Sequence, residues 1–169
     1  MITRTVRDDD LRNLAKVMRR AGVARFRTRA ALIRYLHSGY RQIVVTHDEK
    51  DGRLFAVTFF HLLRLAHTVV LDMLVLECED AAYLESVALE VRRFLGDLLD
   101  MRHCAGCVLE LHEPTAGYVQ QLKAVGFLRV HPCKDCLGGM FTFSLESAHV
   151  GAVVIERVLG GDTRVFGEV

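Results

Sequence analysis

Cysteine and histidine side chains are the most conspicuous candidates for chemistry in this sequence. Two C-x-x-C pairs, Cys104/Cys107 and Cys133/Cys136, are separated by 25 residues, and His131 precedes the second pair. Two such pairs supply four thiolates of the kind that hold a tetrahedral zinc ion, although this gap exceeds that of most zinc ribbons. Three uses stay open: reduced thiols without a ligand, a metal site, or a redox pair.

A carboxylate interrupts an otherwise apolar run. Residues 67–76 read His-Thr-Val-Val-Leu-Asp-Met-Leu-Val-Leu, with Asp72 in the middle. A nearly continuous apolar run is typical of a central strand that is covered on both faces. A buried Asp72 would have a raised pKa and could act as a base, or it could be a hydrogen-bonded structural group.

Composition and charge distribution exclude several classes of protein. Apolar residues make up 51% and charged residues 25% of the chain, as in a folded globular domain. The sequence has neither an apolar run long enough for a membrane span nor a secretory signal, so we expect a cytoplasmic protein. Residues 1–41 hold eleven Lys or Arg against three Asp. This basic third would attract nucleic acid or another anionic partner, or it forms ordinary solvated helix faces.

The periodicity of apolar residues predicts the elements that must position these groups. Strands are predicted at 2–6, 42–47, 53–63, 67–76, 107–112, 127–131 and 140–145, and helices at about 8–21, 28–38, 81–100 and 114–125. This order predicts an α+β domain over residues 1–146, in which an antiparallel meander precedes a helix that crosses between two parallel strands. The sequence of residues 147–169 predicts a C-terminal β-hairpin extension. We interpret this hairpin as an arm for self-association into a homodimer.

The predicted order resembles that of the GNAT superfamily of N-acetyltransferases. Leu71 to Leu76 is similar to the family's fourth strand, and residues 116–127, which end in Gly-Phe, are similar to its late helix. The resemblance implies a GNAT-like mixed, mostly antiparallel sheet with helices on both faces. It also implies that acetyl-CoA or another acyl-CoA enters between the fourth and fifth strands, against Leu74, Val75, Leu76 and Cys78.

The stretch that should bind the pyrophosphate of CoA departs from the family pattern. The family has a loop of the type Gln/Arg-x-x-Gly-x-Gly/Ala, whose backbone N–H groups and following helix attract phosphate. Residues 77–82 read Glu-Cys-Glu-Asp-Ala-Ala here, with three carboxylates and neither glycine nor arginine. Each close pair of like charges costs about 1 kcal/mol even in water. The sequence therefore predicts a divergent member that lacks the usual pyrophosphate loop.

The resemblance also suggests catalytic roles for two residues. Asp72 lies where family members often carry an acidic residue, and it would accept the amine proton directly or through water. Many members place a proton-donating tyrosine at the position of Leu122, and Tyr118 lies one turn earlier on the same helix face. Tyr118 is therefore either a displaced acid or a core aromatic residue.

The predicted fold restricts the metal hypothesis. If the fifth and sixth strands are parallel, Cys104 and Cys107 lie about 16 Å from Cys133 and Cys136, and one zinc ion cannot bridge that distance. A smaller zinc site made of His131, Cys133 and Cys136 stays compatible with the fold.

Two functions of different classes follow from the sequence. The first is a divergent CoA-dependent N-acyltransferase, or a degenerate derivative of one, acting on a small-molecule amine or a protein. The alternative is a non-catalytic binding or regulatory module that uses the cleft or the basic N-terminal helices, with or without a Cys/His metal site.

Overall fold

The computed structural model describes residues 1–63, 67–77, 81–112, 114–130 and 140–146. Its strands are β1 (Ile2–Thr5), β2 (Arg41–His47), β3 (Leu54–Leu63), β4 (Thr68–Leu76), β5 (Gly106–His112), β6 (Leu128–Val130) and β7 (Met140–Glu146). Its helices are α1 (Asp10–Arg20), α2 (Arg29–His37), α3 (Ala81–Arg102) and α4 (Ala116–Val125), with a short 3₁₀ turn at Ala24–Phe26. The predicted element order is confirmed. The predicted C-terminal hairpin, 147–169, lies outside the described residues.

The seven strands form one mixed sheet in the order β1-β2-β3-β4-β5-β7-β6. Neighbouring strands are antiparallel except β4 and β5, which are parallel and are joined through α3. A parallel pair needs a long crossover connection, and the 22-residue α3 supplies it. The predicted mixed, mostly antiparallel sheet is confirmed.

Each face of the sheet has its own hydrophobic core. Helices α1 and α2 cover one face, where the stripe of α1 packs on strand residues such as Ile43, Val57 and Phe59. Helices α3 and α4 cover the other face, where Val87, Val91 and further apolar residues pack on β3, β4 and β5. Helices on both faces were predicted, and this prediction is confirmed. The two faces are called the α1–α2 face and the α3–α4 face below.

Local side-chain chemistry fixes the helix ends. Thr28 and Thr115 are the N-cap residues of α2 and α4, and the hydroxyl of Thr28 accepts a hydrogen bond from the backbone N–H of Ala31 at 3.2 Å. The N-cap residue of α1 is Asp9, whose side chain makes no capping hydrogen bond. Asp10 instead accepts two hydrogen bonds from Arg4, at 2.6 and 2.9 Å, which tie α1 to β1.

None of the helices in the described part of the chain combines the length and the apolar character that a bilayer crossing requires.

Candidate functional site

Strands β4 and β5 separate halfway along their length. They pair from Thr68 with Gly106 as far as Leu71 with Leu109, and no further pairing joins them within the described residues. Strand β4 nevertheless continues to Leu76 and β5 to His112. Beyond Leu71, the edge of β4 that faces β5 is therefore left without its neighbouring strand.

A β-bulge lies at the point of separation. On β3, Phe59 pairs with Met73 and Phe60 pairs with Leu71, so Asp72 is the extra residue. Leu71 packs in the core of the α3–α4 face, whereas Met73 packs against the core of the α1–α2 face. The bulge thus directs the carboxylate of Asp72 to the α1–α2 face, at the start of the divergence.

Three donors surround one oxygen of Asp72. The hydroxyl of Tyr35 donates to Oδ2 at 2.6 Å, and Nδ1 of His61 lies 3.0 Å from the same atom. Nε of Arg41 is 3.9 Å away, which is an ion pair and not a hydrogen bond. The side chain of Asp72 is 14% exposed, that of His61 23% and that of Arg41 31%. The buried side of Asp72 is therefore held by Tyr35, and the cluster is open to solvent on the side of His61 and Arg41.

The hydrogen bond to Asp72 fixes the tautomer of His61. A carboxylate only accepts hydrogen bonds, so Nδ1 of His61 must carry the proton. Nε2 of the neutral ring is then left as an acceptor. A histidine held in this way by a carboxylate is suited to take a proton from a bound group, and the carboxylate then stabilises the imidazolium that forms.

Aromatic packing beneath the cluster keeps Tyr35 in place. Its ring makes edge contacts with Phe26 at 5.2 Å and with Phe59 at 5.3 Å between ring centroids, and the latter two rings are stacked at 4.4 Å. Burial, followed by the hydrogen bond to Asp72, raises the pKa of Tyr35 well above its usual value. Tyr35 is thus a permanent hydrogen-bond donor to Asp72 at physiological pH.

Tyr118 contacts the edge of β4 from the α3–α4 face. It is partly buried against the α3–α4 core, and its hydroxyl donates to the main-chain carbonyl of Leu74 on β4. Burial is the main reason that the pKa of Tyr118 is raised, to about 12. Tyr118 is a core aromatic residue whose proton is nevertheless retained at neutral pH and directed at β4.

Leu74, Val75 and Leu76 present only main-chain atoms to the divergence. Leu74 and Leu76 are buried in the α3–α4 core, and Val75 packs against the opposite core. A ligand between β4 and β5 would therefore meet their backbone N–H and C=O groups. Cys78, the fourth residue predicted to contact a cofactor, lies outside the described residues.

A second carboxylate lies across the divergence from Asp72. Glu110 follows Leu109, the last β5 residue that pairs with β4. Leu109 packs in the α3–α4 core, so the alternation of a strand places Glu110 on the opposite face, the face of Asp72. Partial burial raises the pKa of Glu110. Two carboxylates thus lie on one face of the sheet where the two strands part.

The acidic stretch after β4 begins with a paired carboxylate. Glu77 lies 2.8 Å from Arg20 at the end of α1, and its backbone N–H donates to the carbonyl of Phe55 at 2.7 Å. Residues 78–80, which complete the stretch, lie outside the described residues. The absence of a pyrophosphate loop therefore stays a prediction from the sequence.

The described cysteines form part of the core. Cys107 is completely buried and Cys104 is 6% exposed, both in the α3–α4 core, and burial raises the pKa of both thiols. Strand β7 is antiparallel to both β5 and β6, so β5 and β6 run in the same direction, as the argument against a four-cysteine site required. His131, Cys133 and Cys136 lie outside the described residues. Within the described ranges no three His, Cys, Asp or Glu side chains are grouped to hold a metal ion.

Comparison with known proteins finds similarity in structure only. No protein-family model and no curated protein matches the sequence. A spermidine N-acetyltransferase from Vibrio cholerae, solved with CoA and spermine, superposes with a TM-score of 0.65 at 10% identity, over 86% of this chain and 95% of that one. A ribosomal-protein-S5-alanine acetyltransferase from Vibrio fischeri gives 0.63 at 11% identity, over 87% and 93%.

These neighbours define the class of fold. They are GNAT acetyltransferases, and they match most of this chain and nearly the whole of their own chains. The chain therefore has the GNAT fold, as the order of its elements predicted. Sequence identity near 10% shows the fold and leaves the chemistry to be argued from the site.

The structure brings together residues that the sequence did not connect. Asp72 was predicted as a site residue, whereas Tyr35, His61 and Arg41 were not. Their only sequence signals were a histidine inside an apolar strand and a tyrosine on the apolar stripe of α2, both of which are common in ordinary cores. Tyr118 and Leu74 were predicted separately and are in direct contact.

Proposed function

We propose that this protein is an acyl-CoA-dependent N-acyltransferase whose reaction centre lies where β4 and β5 diverge. One observation carries the proposal: the opening between the strands is bordered by a histidine–carboxylate pair, His61 and Asp72, in a GNAT fold. A proton acceptor beside an unpaired strand edge is the arrangement that amide formation from a thioester requires.

The unpaired edge of β4 fits the amide-containing arm of an acyl-CoA. Beyond Leu71 its backbone groups have no partner from β5 in the described part of the chain, and an extended chain with amide groups could add there like a strand. When bound, an acyl-CoA would supply an activated thioester carbonyl. The main chain of Leu74 to Leu76 would bind and orient it.

The side chains around the opening would accept and donate the protons of the reaction. In the proposed reaction a C–N bond forms as the C–S bond of the thioester breaks. The proton of the amine passes to Nε2 of His61, and Asp72 stabilises the imidazolium. The departing thiolate takes a proton from the hydroxyl of Tyr118, which recovers it from solvent. Asp72 thus acts through His61 as a positioning residue.

A combined binding and turnover experiment tests this function. Acetyl-CoA at about 100 times its Kd should stabilise the protein by nearly 3 kcal/mol. The Asp72→Asn variant should keep that stabilisation and lose acetyl transfer to amines, measured as release of the CoA thiol. If millimolar acetyl-CoA produces neither a thermal shift nor thiol release with a panel of amines, the proposal is wrong.

Two observations favour the alternative of a degenerate, non-catalytic module. Tyr118 already occupies a carbonyl of the β4 edge, and the stretch that the GNAT resemblance assigns to the CoA phosphates contains three carboxylates. Such a module would bind a partner through the basic N-terminal helices, and for nucleic acid the affinity would fall steeply with salt. A thermal shift with acetyl-CoA would count against this alternative.

The zinc site at His131, Cys133 and Cys136 and self-association through residues 147–169 are further proposals from the sequence alone. Near-stoichiometric zinc in the purified protein, abolished by Cys133→Ser, would support the first. A change from dimer to monomer on removal of residues 147–169 would support the second.

A further inference from the structure

The chain segment that supplies Tyr35 and Arg41 to the proposed reaction centre is strongly basic. From residue 11 to residue 47 the sequence contains no Asp or Glu, while it contains nine Lys or Arg: Arg12, Lys16, Arg19, Arg20, Arg25, Arg27, Arg29, Arg34 and Arg41. This segment covers α1 apart from its first residue, Asp10, together with α2 and β2, and it includes Tyr35 and Arg41, two of the three residues that contact Asp72. Among the described residues only Arg20 and Arg41 of this set lie within ion-pair distance of a carboxylate. A segment of this charge attracts an anion more readily than a polycation.

Arg41 is the basic residue that borders the reaction centre directly. Its guanidinium carbon lies 5.3 Å from the centroid of the Tyr35 ring, and Nη1 donates to Oγ of Ser38 at 2.9 Å. These two contacts hold the guanidinium in one orientation. It is nevertheless one-third exposed, at the open side of the cluster.

The hydrogen-bonding capacity of Arg41 is only partly used. Nε approaches Asp72 at 3.9 Å, which is too long for a hydrogen bond, and Nη2 makes no hydrogen bond to any residue that the structure describes. The Nε and Nη2 donors form the planar fork that binds a carboxylate through two parallel hydrogen bonds. An arginine whose guanidinium is held in one orientation, is partly exposed and has donors without a hydrogen-bond partner among the described residues is suited to bind a small anion.

The groups that would receive an amine lie beside this arginine. Asp72 and Glu110 share one face at the divergence, and Asp72 holds His61 with Nε2 available as an acceptor. An ammonium group would be attracted by the carboxylates; it loses one proton to solvent before reaction, and the neutral amine then passes its second proton to His61 as the C–N bond forms. The centre thus presents the guanidinium of Arg41 beside the carboxylate–histidine pair of Asp72 and His61.

We infer that the acceptor is a small zwitterionic amine of the α-amino-acid type, with its carboxylate bound by Arg41 and its amine directed at His61 and Asp72. The inference rests on the acyl transfer proposed above. It distinguishes this chain from the structural neighbour that was solved with spermine, a polycation without a carboxylate.

Paired acceptors that differ only in charge test the inference. Acetyl transfer is measured for a panel of α-amino acids, for the carboxamide of each, and for spermidine, at equal concentrations of free amine. The wild-type protein should prefer the best amino acid over its carboxamide at least about 10-fold in kcat/KM, as expected for a charge-assisted bidentate contact. Spermidine should be a poor acceptor.

Variants at Arg41 assign that preference to one residue. Arg41→Gln should reduce the preference to about twofold or less, mainly through KM for the amino acid, while the carboxamide is little affected. Arg41→Lys should give an intermediate preference, because a lysine supplies charge without the fork. Arg34→Gln, at an exposed arginine on α2, is the matched control and should retain the full preference.

A binding measurement separates this inference from the proposed function. Thermal stabilisation by the same amino acid and carboxamide is recorded without acyl-CoA, for the wild-type protein and for Arg41→Gln. A preference for the amino acid that is lost in the variant supports the inference even if no acetyl transfer occurs, and that absence would overturn only the acyltransferase proposal. Equal binding of acid and amide, or better turnover of spermidine, overturns the inference.

Discussion

The two faces of the sheet differ most where β4 and β5 part. On the α1–α2 face the opening is lined by polar groups: Tyr35, Arg41, His61, Asp72 and Glu110. On the α3–α4 face the sheet is covered by an apolar core, and Tyr118 donates to β4 from that side. The bulge at Asp72 produces this asymmetry, because it places two consecutive residues of β4 on the α1–α2 face.

The difference indicates that the two faces are suited to different roles. A polar cluster on one side can exchange protons with an acceptor, while an apolar wall on the other side can exclude water from an extended ligand. Burial on the apolar side also disfavours metal binding by the cysteines there. Burial raises the pKa of Cys107, and a thiol must lose its proton before it binds zinc.

The largest effect is expected from the polar face. His61→Gln should lower kcat for acetyl transfer by about 100-fold to 10,000-fold, the usual contribution of a general base. Asp72→Asn should cost a similar factor, and the double variant little more, because the two residues act as one unit. His37→Gln, at an exposed histidine at the end of α2, is the matched control. A fully active His61→Gln would remove the chemical distinction between the two faces.

A smaller effect is expected from the hydroxyl on the apolar face. Tyr118→Phe should lower kcat by about 10-fold to 100-fold, because the thiolate would lose its proton donor. Stabilisation by acetyl-CoA should be unchanged in thermal-shift measurements. If the variant instead binds CoA more tightly with no loss of kcat, Tyr118 blocks the β4 edge and takes no part in the chemistry.

Stability should respond when the polar cluster loses its buried donor. Tyr35→Phe should lower the free energy of unfolding by about 1–3 kcal/mol, since Asp72 loses a hydrogen bond while the aromatic packing is kept. The raised pKa of Tyr35 means that the unfolded chain releases this proton first. Its contribution is complete below pH 10 and decreases as the pH rises further, so denaturant unfolding should show the two proteins converging above pH 10. A constant difference across that range would contradict the assignment.

The smallest effect is expected at Glu110. Its pKa is raised by partial burial, so the charged form destabilises the folded state. Glu110→Gln should therefore raise Tm at pH 7, by at most about 3 °C, the shift that 1 kcal/mol gives a domain of this size. The gain should disappear as the pH falls below the unfolded value of about 4.5, where both states are protonated. A loss of stability at pH 7 would mean that Glu110 is paired and not merely desolvated.

Much of the architecture could be read from the sequence because it depends on local patterns. Within the described residues, alternation and helical spacing predicted the strands and α-helices to within a few residues, and the apolar run around Asp72 predicted a central strand. The short 3₁₀ turn at Ala24–Phe26 was not predicted, since a single turn leaves no periodic pattern.

The candidate site was predicted only in part. Asp72 could be found because a carboxylate is unusual in an apolar strand. His61 and Arg41 could not, because they lie on other strands and their relation to Asp72 depends on sheet register. The bulge between Phe59 and Phe60 shifts that register by one residue, and nothing in the local sequence indicates it.

The sequence by itself determined the fold of this chain, because the sizes, order and apolar faces of its helices and strands admit few ways to cover one sheet on both sides. Only the tertiary structure decided which groups meet at the opening between β4 and β5. A single bulge and the loss of pairing after Leu71 turned the carboxylate of Asp72 toward a histidine and a tyrosine that lie 11 and 37 residues away in the chain. Such contacts depend on strand register, which propensity and composition do not encode.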